Sequence, residues 1–182
     1  LKQKIDASTG DLFIVLHQKG SHGPEYYKRY PERFEVFQPV CASNSPQDCK
    51  QQTIVNAYDN TILYTDYFLD RVIGMLQKVA SGDATATAMF YLSDHGESLG
   101  ENGLYLHGFP YALAPKYQTH IPALAWFSPD FGLDHTCLSA RSHNAYSQDN
   151  IFDTVLGLFS VQTAAYTQDL NIFSGCEVSG SR

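Results

Sequence analysis

The chain has 182 residues, enough for one domain with a sizeable core, and a content of 43% hydrophobic against 17% charged residues excludes a disordered segment. Lys and Arg number 12 against 19 Asp and Glu, a net charge of -7 with no basic block, which argues against nucleic acid as a partner. The longest apolar runs, Leu12–Leu16 and Ala84–Leu92, are too short to cross a bilayer.

Leu1–Asp11 has neither the apolar core nor the small-residue cleavage site of a secretion signal. The chain also begins without Met, so it reads as a mature product or as a piece of something longer. Asp11–His17 (DLFIVLH) is rich in strand formers and predicts a buried strand, followed at once by the turn Gly20-Ser21-His22-Gly23-Pro24. Cys41 and Cys49 bracket a polar, turn-rich stretch that holds one conformation poorly, and a disulfide across it would restrict its unfolded freedom. Cys137 and Cys176 could close a second bridge, although four cysteines permit three connectivities. The short polar loop favours an oxidising compartment over four free thiols in a cytosolic protein.

Gln51–Ala80 reads as a long helix with Ile54, Tyr58, Ile62, Leu69, Val72, Leu76 and Val79 on one stripe. Thr85–Leu92 predicts a second buried strand, ending in Ser93-Asp94-His95-Gly96-Glu97, and Ile121–Phe127 a third. Asp149–Phe159 predicts a closing helix. This order is that of an α/β fold with parallel strands, and apolar runs without alternation fit strands covered by helices on both faces. Ligands in such sheets collect beyond the carboxyl ends of the strands. Two of the predicted strands lead there into a histidine beside a glycine.

A carboxylate oxygen and an imidazole nitrogen are suitable zinc ligands, so Asp94 and His95 are a candidate pair once a glycine turn lifts the backbone out of strand geometry. Glu97 could bind metal, orient a ligand from behind or recognise a cation. His22 lies between glycine-containing turns, and His107 sits in Tyr105-Leu106-His107-Gly108. Each motif alone is more often a local turn. Together they put one carboxylate and three imidazoles on loops at one sheet edge, a constellation suited to one zinc or two and to phosphoryl chemistry. His120 reads as structural, His17 as a core residue or as support behind a ligand, and His135 and His143 receive no role.

These segments also carry a resemblance. VLHQKGSHGPEYYKRYP, the Cys41–Cys49 loop, NAYDNTILYTDYFLD, YLSDHGESLGENGLYLHG and QTHIPALAWFSP stand in the order and spacing of one family. The chain resembles the carboxyl-terminal part of the catalytic domain of the lipid A phosphoethanolamine transferases, which include the mobile colistin-resistance enzymes. The likeness is strong from Asp11 to Pro129 and looser through SQDNIFDTVLGLF and DLNIF.

The resemblance implies an alkaline-phosphatase/sulfatase-like α/β fold, a mostly parallel sheet flanked by helices, present as a partial domain. Residues 1–182 would be the C-terminal portion of a single periplasmic catalytic domain, tethered to the bacterial inner membrane by helices upstream. It further implies zinc-dependent transfer of phosphoethanolamine from phosphatidylethanolamine to lipid A, through a covalent phosphothreonine, with polymyxin resistance as the outcome. By motif, Asp94 and His95 would bind the main zinc, while His22 and His107 would line the phosphoethanolamine pocket or hold a second zinc. Glu97 would lie nearby in the substrate region, and Cys41 and Cys49 would form one of the family's disulfides.

In the family the nucleophilic threonine and a glutamate ligand precede the region matched here. Thr53, Thr61 and Thr65 fall on the predicted long helix and are not promoted to nucleophile, so the isolated chain is expected not to turn over substrate. The alternatives are a sulfatase- or phosphodiesterase-like metallohydrolase transferring to water, and a noncatalytic module that binds metal or a lipid headgroup.

Overall fold

The structure is a computed structural model that describes residues 1–83 and 85–178. The chain forms two compact units: one takes in Val15–Leu76 and Met89–Trp126, the other the described parts of Leu1–Ile14, Gln77–Ala88 and Phe127–Arg182.

The first unit bears all the candidate ligands and is built on residues 51–76 of helix α2 (Gln51–Asp83), which follows the short helix α1 (Lys2–Asp6) in chain order. Its core joins Tyr26, Cys41, Ile54, Ala57 and Leu99, with the Cys41–Cys49 disulfide holding the polar loop ahead of α2. The buried face of α2 runs through Ile54, Ala57 and Thr61, three and four residues apart, as a helix packed on one side requires. Ile62, assigned to the stripe from its apolar character, is instead 47% exposed.

The positions that replace it are polar. Asn60 is fully buried and accepts the backbone N–H groups of Val36 and Phe37 (3.0 and 2.9 Å) while donating to Phe37 O. Asn56 donates to Pro39 O at 2.9 Å. Residues 36–39 have no regular structure of their own, and these asparagines satisfy their backbone from the helix.

Strand β1 (Ala88–Leu92) pairs with β4 (Ala123–Phe127), and β2 (Ser98–Leu99) pairs antiparallel with β3 (Tyr105–Leu106). The large, mostly parallel sheet expected from the apolar runs is therefore represented among the described residues by two two-stranded pieces. Of the predicted second apolar run, Ala84 lies outside the described residues and Thr85–Thr87 precede the strand. The third run is less covered than expected, since Ala123–Ala125 are exposed and burial begins toward Phe127. The strand predicted over Asp11–His17 does not form: Leu12–Leu16 are exposed, Val15 to 73%. Strand formers become a strand only when a neighbour supplies the ladder, and among the described residues none pairs with this run.

The second unit packs Phe127 against Phe131 and Phe173 (centroids 5.0 and 5.1 Å), with Leu133, Ile172 and Cys176 also buried. Following the four-residue α3 (Lys116–Thr119) in chain order, α4 (His135–Arg141) starts with Asp134 accepting the Cys137 N–H at 2.7 Å, a side-chain N-cap. The Cys137–Cys176 disulfide ties α4 to the chain end of this unit. Helix α5 (Asn150–Leu158) matches the predicted closing helix. An open apolar hollow of about 200 Å³ is lined by Phe13, Val155, Leu156, Phe159 and Val161. It offers no ionisable group to a substrate, so the chemistry must be sought in the other unit.

Candidate metal centre

Three loops bring the histidines together. His22 lies in the turn after the exposed apolar run, His95 follows β1, and His107 follows β3. One ring nitrogen of each lies within 4.8 Å of the other two. The His95 and His107 rings stack with centroids 3.7 Å apart, and His22 meets His107 edge-on at 4.8 Å.

Two glycines make the approach feasible through packing. Gly96 follows His95, and a Cβ there would collide with the carbonyl oxygen of Tyr117, while its own N–H donates to Gln118 O at 2.9 Å. Gly23 follows His22, and a Cβ there would fall 2.6 Å from Leu106 Cδ2 and 2.7 Å from both the Glu97 carboxylate and the Tyr26 hydroxyl. The glycines read in the sequence as loop punctuation are thus close-approach positions. Leu106, just before His107, holds φ at 63°, a backbone conformation that costs a bulky residue on the order of 1–3 kcal/mol. Its side chain packs against the core of this unit, which offsets that cost.

The tautomers follow from the hydrogen bonds. His22 Nδ1 lies 2.7 Å from Gly23 O, and His95 Nδ1 lies 2.8 Å from Gly96 O. A carbonyl oxygen only accepts, so each Nδ1 carries the proton. His107 Nδ1 lies 2.7 Å from Glu97 Oε2 and donates to that carboxylate. In the neutral ring Nε2 then keeps the lone pair, the form in which imidazole ligates a metal, and a carboxylate behind one ring is a familiar support for such a ligand. Imidazole nitrogens with the Asp94 carboxylate beside His95 are donors of the chemistry that zinc prefers. The donor set fits the ion.

Asp94 is exposed, and its Oδ1 stands 3.9 Å from His95 Nε2, close enough for both to reach one ion from the same side. Of the three roles open to Glu97, the geometry is that of an orienting group. Its side chain is only 4% exposed, Oε2 faces His107, and Oε1 accepts Gly23 N–H at 3.1 Å and Tyr26 O–H at 2.8 Å. Burial, with the Glu97 charge next, pushes the Tyr26 phenol well above its ordinary range, so it stays a donor. Arg29 Nε donates to His22 O at 2.8 Å and fixes the backbone of that turn. His17, His120, His135 and His143 do not join the cluster. Sequence reading did not single out Tyr26 or Arg29; the only signal was their place in the PEYYKRYP run directly after His22.

Comparison with known proteins matches residues 1–161 to the sulfatase family. The chain is 49% identical over 181 residues to phosphoethanolamine transferase EptA of Salmonella typhimurium, covering 97% of this chain and 33% of that protein. It is 45% identical over 170 residues to phosphatidylethanolamine transferase Mcr-1 of Escherichia coli, covering 93% and 30% respectively. Among solved structures it superimposes on the integral membrane protein lipooligosaccharide phosphoethanolamine transferase A of Neisseria meningitidis with a TM-score of 0.92 and 44% identity, covering 97% of this chain and 34% of that one. The chain thus spans about a third of the length of these relatives, and its fold is the sulfatase/alkaline-phosphatase-like class that the resemblance implied. No helix among its described residues is long and apolar enough to cross a membrane.

Proposed function

The chain belongs to the sulfatase family and, within it, to the lipid A phosphoethanolamine transferases, and on that premise we propose that it carries part of the catalytic centre of a zinc enzyme. The enzyme moves phosphoethanolamine from phosphatidylethanolamine to lipid A. The observation that carries this reading is the meeting of His22, His95 and His107 within 4.8 Å, each with Nδ1 turned to a protein oxygen so that Nε2 is the nitrogen left for a ligand.

Asp94 and His95 hold the main ion, and His22 and His107 bind the phosphoethanolamine group or a second zinc. When bound, zinc supplies Lewis-acid stabilisation of charge on phosphoryl oxygens. The chain's own residues orient: Glu97 fixes the His107 ring, and the Gly23 and Gly96 carbonyls fix the other two.

The nucleophile in this reading is a threonine outside residues 1–182. Thr53 Oγ1 donates to Lys50 O, and the buried Thr61 hydroxyl is held by Tyr58 O and Ser21 within α2 and its packing. That outside threonine displaces the diacylglycerol oxygen at phosphorus, its proton passing to the leaving oxygen. A hydroxyl-bearing acceptor oxygen of lipid A then attacks phosphorus, the threonine O–P bond breaks, and the acceptor's proton passes to the threonine oxygen to restore its hydroxyl. The transferred group adds an amine to an anionic glycolipid, which weakens attraction for cationic polymyxins such as colistin. Two disulfides and an integral-membrane relative support a location at the periplasmic face of the bacterial inner membrane, with tethering helices elsewhere in the protein.

Zinc content after exhaustive dialysis tests the reading on this chain and on its Asp94→Ala and His95→Ala variants. Roughly one zinc retained by the parent chain and lost in both variants is expected. Retention by the variants, or none in the parent chain, counts against it. Turnover by the 182-residue chain alone, abolished by Asp94→Ala, would overturn the assignment of the nucleophile to a segment outside it.

A further inference from the structure

We propose that Tyr26 is a positioning residue for the imidazole cluster, acting through Glu97. The inference rests on the metal reading of the three histidines.

Glu97 is one carboxylate spanning two loops. Oε1 takes the Gly23 N–H of the His22 turn, and Oε2 takes the Nδ1–H of His107. A carboxylate held by one donor on each oxygen can still rock about its terminal torsion, and the two histidines would then drift in concert. The Tyr26 hydroxyl, 2.8 Å from Oε1, is the third point that stops this.

Tyr26 suits that task because it does not itself move freely. It is 2% exposed, belongs to the core of its unit, and meets Tyr58 edge-on with centroids 5.6 Å apart. A phenol keeps its proton at physiological pH, and burial only pushes its titration further up, so the donor is always present. The Gly23 Cα has no room for a Cβ beside the Tyr26 hydroxyl and Glu97, so the strut and the His22 turn are in direct contact. The phenol thus anchors the carboxylate, the carboxylate anchors the two loops, and neither group needs to touch the ion.

The test uses Tyr26→Phe, which keeps the ring and its contact with Tyr58 and removes only the hydroxyl. Zinc affinity is measured by competition with a chromophoric chelator, and geometry by the visible absorption of bound cobalt(II). Tyr26→Phe should fold as judged by circular dichroism, bind zinc about tenfold more weakly and alter the cobalt spectrum. Glu97→Gln should weaken zinc at least as much, and the double variant should match Glu97→Gln alone, because the hydroxyl works only through that carboxylate.

Unchanged affinity and spectrum in Tyr26→Phe, or additive losses in the double variant, overturns the proposal while leaving the metal reading intact. Failure of Tyr26→Phe to fold also overturns it, since the hydroxyl would then serve stability. If the parent chain takes up neither zinc nor cobalt, the metal reading itself falls and this assignment with it.

Discussion

Glu97, in the histidine-bearing unit, and Asp153, in the other, are both nearly sealed from water, and each is an acid that must be compensated where it lies. Asp153 stands in the first turn of α5, where the helix N-terminus favours negative charge, and accepts the Thr167 N–H at 2.6 Å. Its task ends there: it pins one piece of irregular chain, as the neighbouring Thr154 hydroxyl does for Ile172 N–H. Glu97 has no helix behind it and instead gathers a phenol, a backbone amide and an imidazole. A buried acid that serves only the backbone can be replaced by an amide of the same shape. One that fixes the direction of a ligand cannot, because the proton on the imidazole depends on it.

Several experiments can break or sharpen that contrast. Glu97→Ala strands the Tyr26 hydroxyl, the Gly23 N–H and the His107 Nδ1–H together, so it should lose about 3 kcal/mol of stability in urea and weaken zinc some 10–100-fold. Normal zinc uptake by that variant would put Glu97 on the same footing as Asp153. Gly96→Ala forces a methyl group into the Tyr117 carbonyl and should destabilise by roughly 1–3 kcal/mol, with weaker zinc because His95 moves with the loop.

Asp153→Asn keeps an acceptor for Thr167 and should lose about 1 kcal/mol, with zinc affinity unaltered in the same titration. The smallest effect is alkaline. Tyr26, Tyr58 and Tyr91 all titrate above the usual 10.0, first through burial and then through Glu97 for the first two and Asp94 for the third. The folded chain keeps protons that the unfolded chain releases, so their stabilisation is whole below pH 10 and declines as pH rises past it. Urea midpoints on either side of that pH should show the fall, and Tyr26→Phe should lessen it.

Much of the candidate site was legible as a cluster of histidines on loops, because its residues are ones a chain rarely places without reason. Gly23 and Gly96 beside histidines signalled turns that take those histidines out of regular backbone, and the Cys41–Cys49 spacing signalled a bridged loop. Helices α2 and α5 followed from spacing and length. What escaped was of two kinds. Counting apolar residues along α2 placed Ile62 on the buried face and passed over Asn56, Asn60 and Thr61, because a helix that holds irregular chain buries amides where a simple core would bury hydrocarbon. The run Leu12–Leu16 has the side chains of a strand, but pairing is a property of two segments, and no single segment encodes it. Tyr26 lay hidden for a related reason: its ring reads as core, and only three-dimensional proximity reveals what its hydroxyl holds.

The contact of Gly96 with α3 reaches beyond packing. With the Tyr117 carbonyl filling the space of a side chain and the Gly96 amide bonded to Gln118, the His95 turn cannot shift unless residues 116–119 shift too. Tightening the imidazoles around an ion would therefore be felt as slower solvent exchange at the Gly96 and Gln118 amides. Deuterium uptake by peptides over this stretch would report occupancy of the centre without a substrate, a chromophore or a label.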